Sequence, residues 1–292
     1  MPPRSPASSS SPASSPPPSS SGSSPVGSSP SPASLLSSRD VLVAVLRGAG
    51  CVFAEEEAEL ILGAARTPDE AAAMAARRAA GLPLEHVVGW AEFHGLRITV
   101  EPGVFVPRRR TEFLVDQALA AMPHARVVVD LCCGSGAVGA ALAASLGQVE
   151  LHAADIDAAA VSCARRNIAE HGGHAYAGDL FAALPGQLRG RIDILAANVP
   201  YVPTGEVPLL PAEARDHEPL TALDGGGDGL DVLRRVAAEA PRWLAPGGCV
   251  LVETSERQAP AAVEAFTRGG LTVRLAADEG LYAHVVVGTR VR

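Results

Sequence analysis

Two short segments of this 292-residue chain carry side chains whose types and spacing suit chemistry. The first is Asp130-Leu131-Cys132-Cys133-Gly134-Ser135-Gly136-Ala137-Val138-Gly139, which follows the apolar run Val127-Val128-Val129 and leads into an apolar helix. It contains the pattern G-x-G-x-x-G. Glycines lacking Cβ let the backbone approach a ligand, and the helix beyond presents unsatisfied N–H groups to a negative partner. Asp155 falls 19 residues after Gly136, at the end of the next predicted strand, where an acid commonly takes ribose hydroxyls. These features signal an adenosine nucleotide or nucleoside without choosing among them. Asp130 tilts the choice, because a carboxylate at the strand tip repels a pyrophosphate but can face, directly or through water, the ammonium of a methionine moiety. That favours S-adenosylmethionine over NAD. Asp179, after the third predicted strand, is either a turn residue of Gly178-Asp179 or an acid whose neighbourhood reaches an adenine edge.

The second segment is Asn198-Val199-Pro200-Tyr201, directly after a predicted strand and so at the carboxyl edge of a sheet, where ligands of such folds bind. It offers a side-chain carbonyl, a backbone carbonyl held by a Pro-rigidified turn, and an aromatic face. Those groups suit a planar group bearing NH₂, either an amide or the exocyclic amine of a base.

The elements that must position both segments are legible as alternation. Candidate strands are 127–130, 150–154, 175–177, 193–197 and 249–253, separated by segments of helical spacing at 137–146, 158–170 and 230–244. This βα alternation predicts an α/β fold with a doubly wound, mostly parallel seven-stranded sheet. The last two strands, 272–276 and 283–287 around Gly280, are expected to form an antiparallel hairpin carrying one reversed edge strand. Upstream, Val41-Leu42 with Val45-Leu46, Ala58 to Ala65, and an Ala-rich stretch after Asp69 suggest a small helical domain over 38–84. The alternating stretch His86 to Val106 suggests a β-hairpin connector over 85–107, with Trp90 and Phe93 as ribbon core. The doubly wound domain that would hold the cofactor is then 108–292. Residues 1–37 are nearly all Ser, Pro, Ala and Gly and are expected to be a disordered tail.

Composition narrows the function classes. All 24 basic residues are Arg, against 32 acidic ones, for a net charge of −8. Without lysine there is neither a P-loop lysine nor Schiff-base chemistry, and an acidic chain argues against sequence-independent binding to phosphate backbones. Apolar runs are too short to span a bilayer, so a cytoplasmic protein without membrane association is expected. The five cysteines include no C-x-x-C, and His86, His94, His152 and His217 lack metal-ligand spacing, so no metal site is expected. Arg108-Arg109-Arg110, between Pro107 and Thr111-Glu112, is read as a loop near the site rather than a nucleic-acid patch.

The glycine loop together with Asn198-Val199-Pro200-Tyr201 resembles class I methyltransferases with an Asn-Pro-Pro-Tyr motif. Three further segments resemble the protein-(glutamine-N5) methyltransferase family, which modifies peptide chain release factors. They are Gly103 to Glu112, Pro83 to Gly89 ahead of Glu92-Phe93, and Glu218 to Leu223. The similarity runs in order from about Arg77 to the C-terminus. It implies that Cys132, Cys133, Gly134, Ser135 and Gly136 wrap S-adenosyl-L-methionine, that Asp155 binds its ribose, and that Leu180 lies by the adenine. It further implies that Asn198, Val199, Pro200 and Tyr201 hold a glutamine amide. The family usually has Pro where Val199 stands, and Gly-Thr or a similar pair where Cys132-Cys133 stand. The resemblance implies an enzyme acting on a release factor's Gly-Gly-Gln loop; from the acidic chain no direct nucleic-acid contact is expected, and a monomer is expected. Two alternatives remain open at this point: N-methylation of an exocyclic amino group in RNA or DNA, and a catalytically silent methyltransferase-like binding protein.

Overall fold

The computed structural model describes residues 38–291, so the expected tail at 1–37 lies outside the described residues. The chain begins with α1 (Ser38–Gly48), α2 (Ala54–Ala64), α3 (Pro68–Ala79) and the short α4 (Leu84–Val88). Their apolar faces meet in a separate small core containing Leu42, Leu46, Ala58, Ile61, Met74 and Val87. The start of α3 is set locally. The Thr67 hydroxyl accepts from the Glu70 N–H at 3.1 Å, and Pro68 occupies the first turn, where its missing N–H costs nothing. A hairpin follows, β1 (Trp90–Phe93) paired antiparallel with β2 (Leu96–Thr99). The alternation read over His86 to Val106 thus resolves differently, because 84–88 is helical and only 90–99 pairs. Phe93 is fully buried, whereas Trp90 is half-buried and covered by the Arg97 guanidinium at 4.3 Å.

A 3-10 turn at Arg109–Thr111 opens α5 (Glu112–Ala121). Next come β3 (Val127–Leu131), α6 (Ala137–Leu146), β4 (Glu150–Asp155), α7 (Ala158–Asn167), β5 (His174–Ala177) and β6 (Ile192–Ala197). After β6 the chain makes a long excursion containing α8 (Ala212–His217) and α9 (Leu220–Leu223). It then returns through α10 (Asp231–Trp243), β7 (Leu244–Thr254), α11 (Ala259–Arg268), β8 (Thr272–Asp278) and β9 (Ala283–Thr289). The seven strands β3 to β9 form one sheet in the order β5-β4-β3-β6-β7-β9-β8. The pairings β3·β4, β3·β6, β4·β5 and β6·β7 are parallel, and β9 runs antiparallel to both β7 and β8. The reversed strand is therefore not the edge strand expected from the sequence. β9 inserts between β7 and β8, and β8 forms the edge.

Both faces of the sheet are covered, so its central strands are apolar on both sides. In β7, Cys249 and Leu251 join a core with residues of α5, α6 and α7, while Val250 and Val252 join a second core with residues of α10 and α11. Strand order reverses direction between β3 and β6. The carboxyl ends of those two strands flank the crevice in which open α/β sheets bind ligands.

Candidate active site

The loop after β3 and the turn after β6 open into one cavity of about 860 Å³. Three carboxylates stand at the tips of successive strands: Asp130 on β3, Asp155 on β4, and Asp179 after β5. Asp130 is 1% exposed and its Oδ2 accepts from the Gly139 N–H at 2.8 Å, so the strand supplies the cap that α6 lacks. Asp155 accepts from the Gly134 N–H through Oδ2 and from the Asp157 N–H through Oδ1, both at 2.9 Å. The Gly134 and Gly139 amides, at the start of the loop and in the first turn of α6, are thus taken by the protein's own anions. A further phosphate there would meet two carboxylates. Burial pushes the Asp130 carboxyl up to about 8 and also raises that of Asp155. A cationic ligand relieves that cost, so a nucleoside carrying positive charge fits this loop and a pyrophosphate does not.

Glycine is required at two points of the loop. Gly136 has φ +78°, and a Cβ there would lie 3.0 Å from the Ala164 Cβ of α7. A Cβ on Gly139 would crowd Asp130 Oδ2 at 3.2 Å, so this glycine lets α6 lie close on the sheet. Two side-chain-bearing residues of the cavity wall, Cys132 (φ +53°) and Leu180 (φ +47°), also occupy the left-handed region. Strain of this kind costs on the order of 1–3 kcal/mol each and gathers at functional sites. Burial raises the Cys132 and Cys133 thiols, and the charges of Asp155 and Asp130 push them the same way. Neither is placed to act as a thiolate.

Across the cavity stands Asn198, half-buried; among the described residues no group hydrogen-bonds to its side chain. The turn that holds it is braced from behind. The Val202 N–H donates to the Leu223 carbonyl at 3.0 Å, and the Gly225 N–H donates to the Val202 carbonyl at 2.8 Å. Gln258 Nε2 donates to the carbonyls of Tyr201 (2.8 Å) and Asp228 (2.9 Å), and Gln258 Oε1 accepts from the Ser255 hydroxyl at 2.6 Å. Gly225 and Gly229 pass so close that a Cβ would lie 2.6 Å from the Pro200 carbonyl oxygen and 2.2 Å from that of Tyr201, respectively. Val199 is 1% exposed and packs in the core beneath.

Relatives and a sequence profile complete this geometry. The profile of the methyltransferase small domain matches residues 95–209. A release factor glutamine methyltransferase of Geobacter sulfurreducens is 38% identical over 229 residues, covering 77% of this chain and 80% of that protein. Another, from Mycolicibacterium smegmatis, is 42% identical over 200 residues, covering 68% of this chain and 70% of that one. The chain belongs to the release factor glutamine methyltransferase family. In fold it also resembles a methyltransferase from Pyrococcus furiosus, with a TM-score of 0.51 at 18% identity, covering 68% of this chain and 90% of that one.

In this member of the family, Asp130, Cys132, Cys133, Gly134 and Ser135 of the glycine loop line one cavity with Asp155, Leu180 and the four residues of the Asn198 turn, whereas Gly136 sits behind it against α7 and Gly139 against Asp130. Asp179 is more than a turn residue, since it lines the cavity and pairs with Arg235 at 2.6 Å. Sequence reasoning missed Glu253 and Gln258 as partners of the Asn198 turn. It also did not separate the three arginines. Arg108 clasps the fully buried Glu218 side chain at 2.6 and 2.7 Å, Arg110 reaches Glu253 at 2.9 Å, and Arg109 is exposed. The signal for Glu253 was available as a charged residue ending an otherwise apolar strand, Cys249 to Glu253.

Proposed function

We propose that this protein transfers the methyl group of S-adenosyl-L-methionine to the side-chain amide nitrogen of a glutamine in a peptide chain release factor, at its Gly-Gly-Gln loop. The observation carrying this reading is the Asn198 side chain, without a hydrogen-bond partner among the described residues, held across one cavity from three carboxylates that favour a cationic nucleoside. S-adenosylmethionine supplies a methyl already activated on sulfonium: the carbon–sulfur bond breaks, a carbon–nitrogen bond forms, a thioether is left, and one amide proton departs to solvent.

The residues of the chain act on the amide and on the cofactor's charge. Asp155 would accept from the ribose hydroxyls of the cofactor, Asp130 would take its ammonium, and Leu180 with Asp179 would border its adenine. Cys132, Cys133, Gly134, Ser135 and Gly136 shape the loop around the cofactor. Asn198 Oδ1 and the Val199 carbonyl accept the two amide N–H bonds, which aims the nitrogen lone pair and stabilises positive charge growing there. Pro200 stiffens the turn and Tyr201 packs on the amide plane, excluding water. The helical unit over 38–84 is read as the domain that recognises the protein substrate, with the hairpin segment 85–107 connecting it to 108–292.

The net charge of −8 supports a protein rather than a nucleic-acid substrate. No described helix is long and apolar enough to cross a membrane. A role in translation termination would place the protein in the cytoplasm, and it is read as a monomer.

The test is Asn198→Ala, assayed with labelled cofactor on purified release factor. Turnover is expected to fall roughly a hundredfold or more with cofactor affinity unchanged. Wild-type turnover in that variant, or label passing only to nucleic acid, refutes the reading.

A further inference from the structure

Tyr201 is held at both ends, and only its backbone end belongs to the turn already described. Its ring hydroxyl donates to Glu253 Oε1 at 3.2 Å and accepts from an Arg110 N–H. Glu253, the next-to-last residue of β7, is 2% exposed and has both oxygens engaged from another direction. Oε1 accepts from Arg110 Nε at 2.9 Å, and Oε2 from the Thr111 hydroxyl at 2.6 Å. Thr111 is itself 2% exposed, at the turn that opens α5. A buried carboxylate costs several kcal/mol unless paired and hydrogen-bonded, so a fully satisfied one holds its partners in a single arrangement. The three groups that meet it, Arg110, Thr111 and Tyr201, all donate to it.

We propose that Glu253 is a positioning residue for methyl transfer, fixing the Tyr201 ring beside the acceptor amide through a network with Thr111 and Arg110. The inference rests on the methyltransferase reading above and deepens it. The network ties the turn after β6 to the segment leading in from the hairpin, through groups that lie on β7 and at the start of α5. The amide plane then meets a ring that cannot swing aside. Near the reacting atoms a misplacement of about 1 Å can cost a hundredfold in rate, so a hydroxyl anchor remote from the chemistry has catalytic weight.

A double-mutant cycle with Glu253→Gln and Tyr201→Phe tests this. Each single change is expected to lower kcat on release factor by roughly tenfold or more. The double variant is expected to be no slower than the slower single variant, because Glu253 acts through the hydroxyl that Y201F removes. Cofactor affinity, measured by calorimetric titration without substrate, is expected to stay within about twofold throughout. Multiplying effects, or wild-type turnover in E253Q, overturns the proposal. A merely structural carboxylate would lower the melting temperature and cofactor affinity alike in both backgrounds, and that result also overturns it. If E253Q does not fold, Thr111→Val in combination with Y201F makes the same comparison by removing one of the three groups that hold the carboxylate. A wild-type enzyme inactive on release factor would instead remove the functional reading, while multiplying effects in an active enzyme remove only the role of Glu253.

Discussion

Asp130 couples the stability of the fold to the charge of its ligand, and both sides of that coupling are measurable. The carboxyl is 1% exposed, has one N–H partner, and is pushed up by burial from 3.8 to about 8. Below about pH 4 the group is protonated in both the folded and unfolded chains. Between that pH and about 8, the folded chain keeps a proton that the unfolded chain has lost, so the stability of the free protein falls as pH rises. The slope from this group approaches about 1.4 kcal/mol per pH unit and vanishes above about pH 8. A bound cation needs the ionised form. The affinity for S-adenosylmethionine is therefore expected to rise about tenfold per pH unit below 8, and about fiftyfold between pH 6 and 8. Asp130→Asn keeps an oxygen for the Gly139 N–H but cannot ionise, and is expected to lose both dependences. Calorimetric titrations at pH 6, 7 and 8, with thermal melts of the free protein, read the two effects separately. A flat wild-type affinity across this range, or a wild-type pH profile retained in D130N, refutes the reasoning.

Other positions give simpler expectations. Gly136→Ala places a Cβ at φ +78° and 3.0 Å from Ala164. Chemical denaturation is expected to show a loss on the order of 2 kcal/mol, together with weaker cofactor binding. Arg108→Ala leaves Glu218 buried without its cation, although the Val106 N–H still donates to it at 3.1 Å. A loss of roughly 3 kcal/mol is expected, and Arg108→Ala combined with Glu218→Gln should recover part of it. An unaltered denaturation midpoint in either single variant contradicts the packing described above.

How much was legible in sequence follows from the range of each interaction. The βα alternation, the glycine loop and the helix 137–146 are encoded in contiguous residues, because periodicity and turn chemistry act over a few positions. The Asn198 turn was legible for the same reason, as four adjacent residues after an apolar strand. The hairpin connector was overextended, because 84–88 is too short for its helical period to stand out from alternation. The place of β9 was not legible either. Reversal can be inferred from a short connection, but whether the reversed strand takes the edge depends on which neighbour it buries against, and β7 lies about 30 residues upstream.

The sequence by itself determined that a class I methyltransferase sheet forms and which two segments line its carboxyl edge, because those signals are local and carried by residue type. Only the tertiary structure decided which charges meet there. It brings Glu253 to Tyr201 across 52 residues, Arg108 to Glu218 across 110, and Thr111 to Glu253 across 142. Pairing between separate elements depends on strand order and on burial, which lowers the dielectric and makes an unpaired carboxylate costly, and neither is written in spacing along the chain.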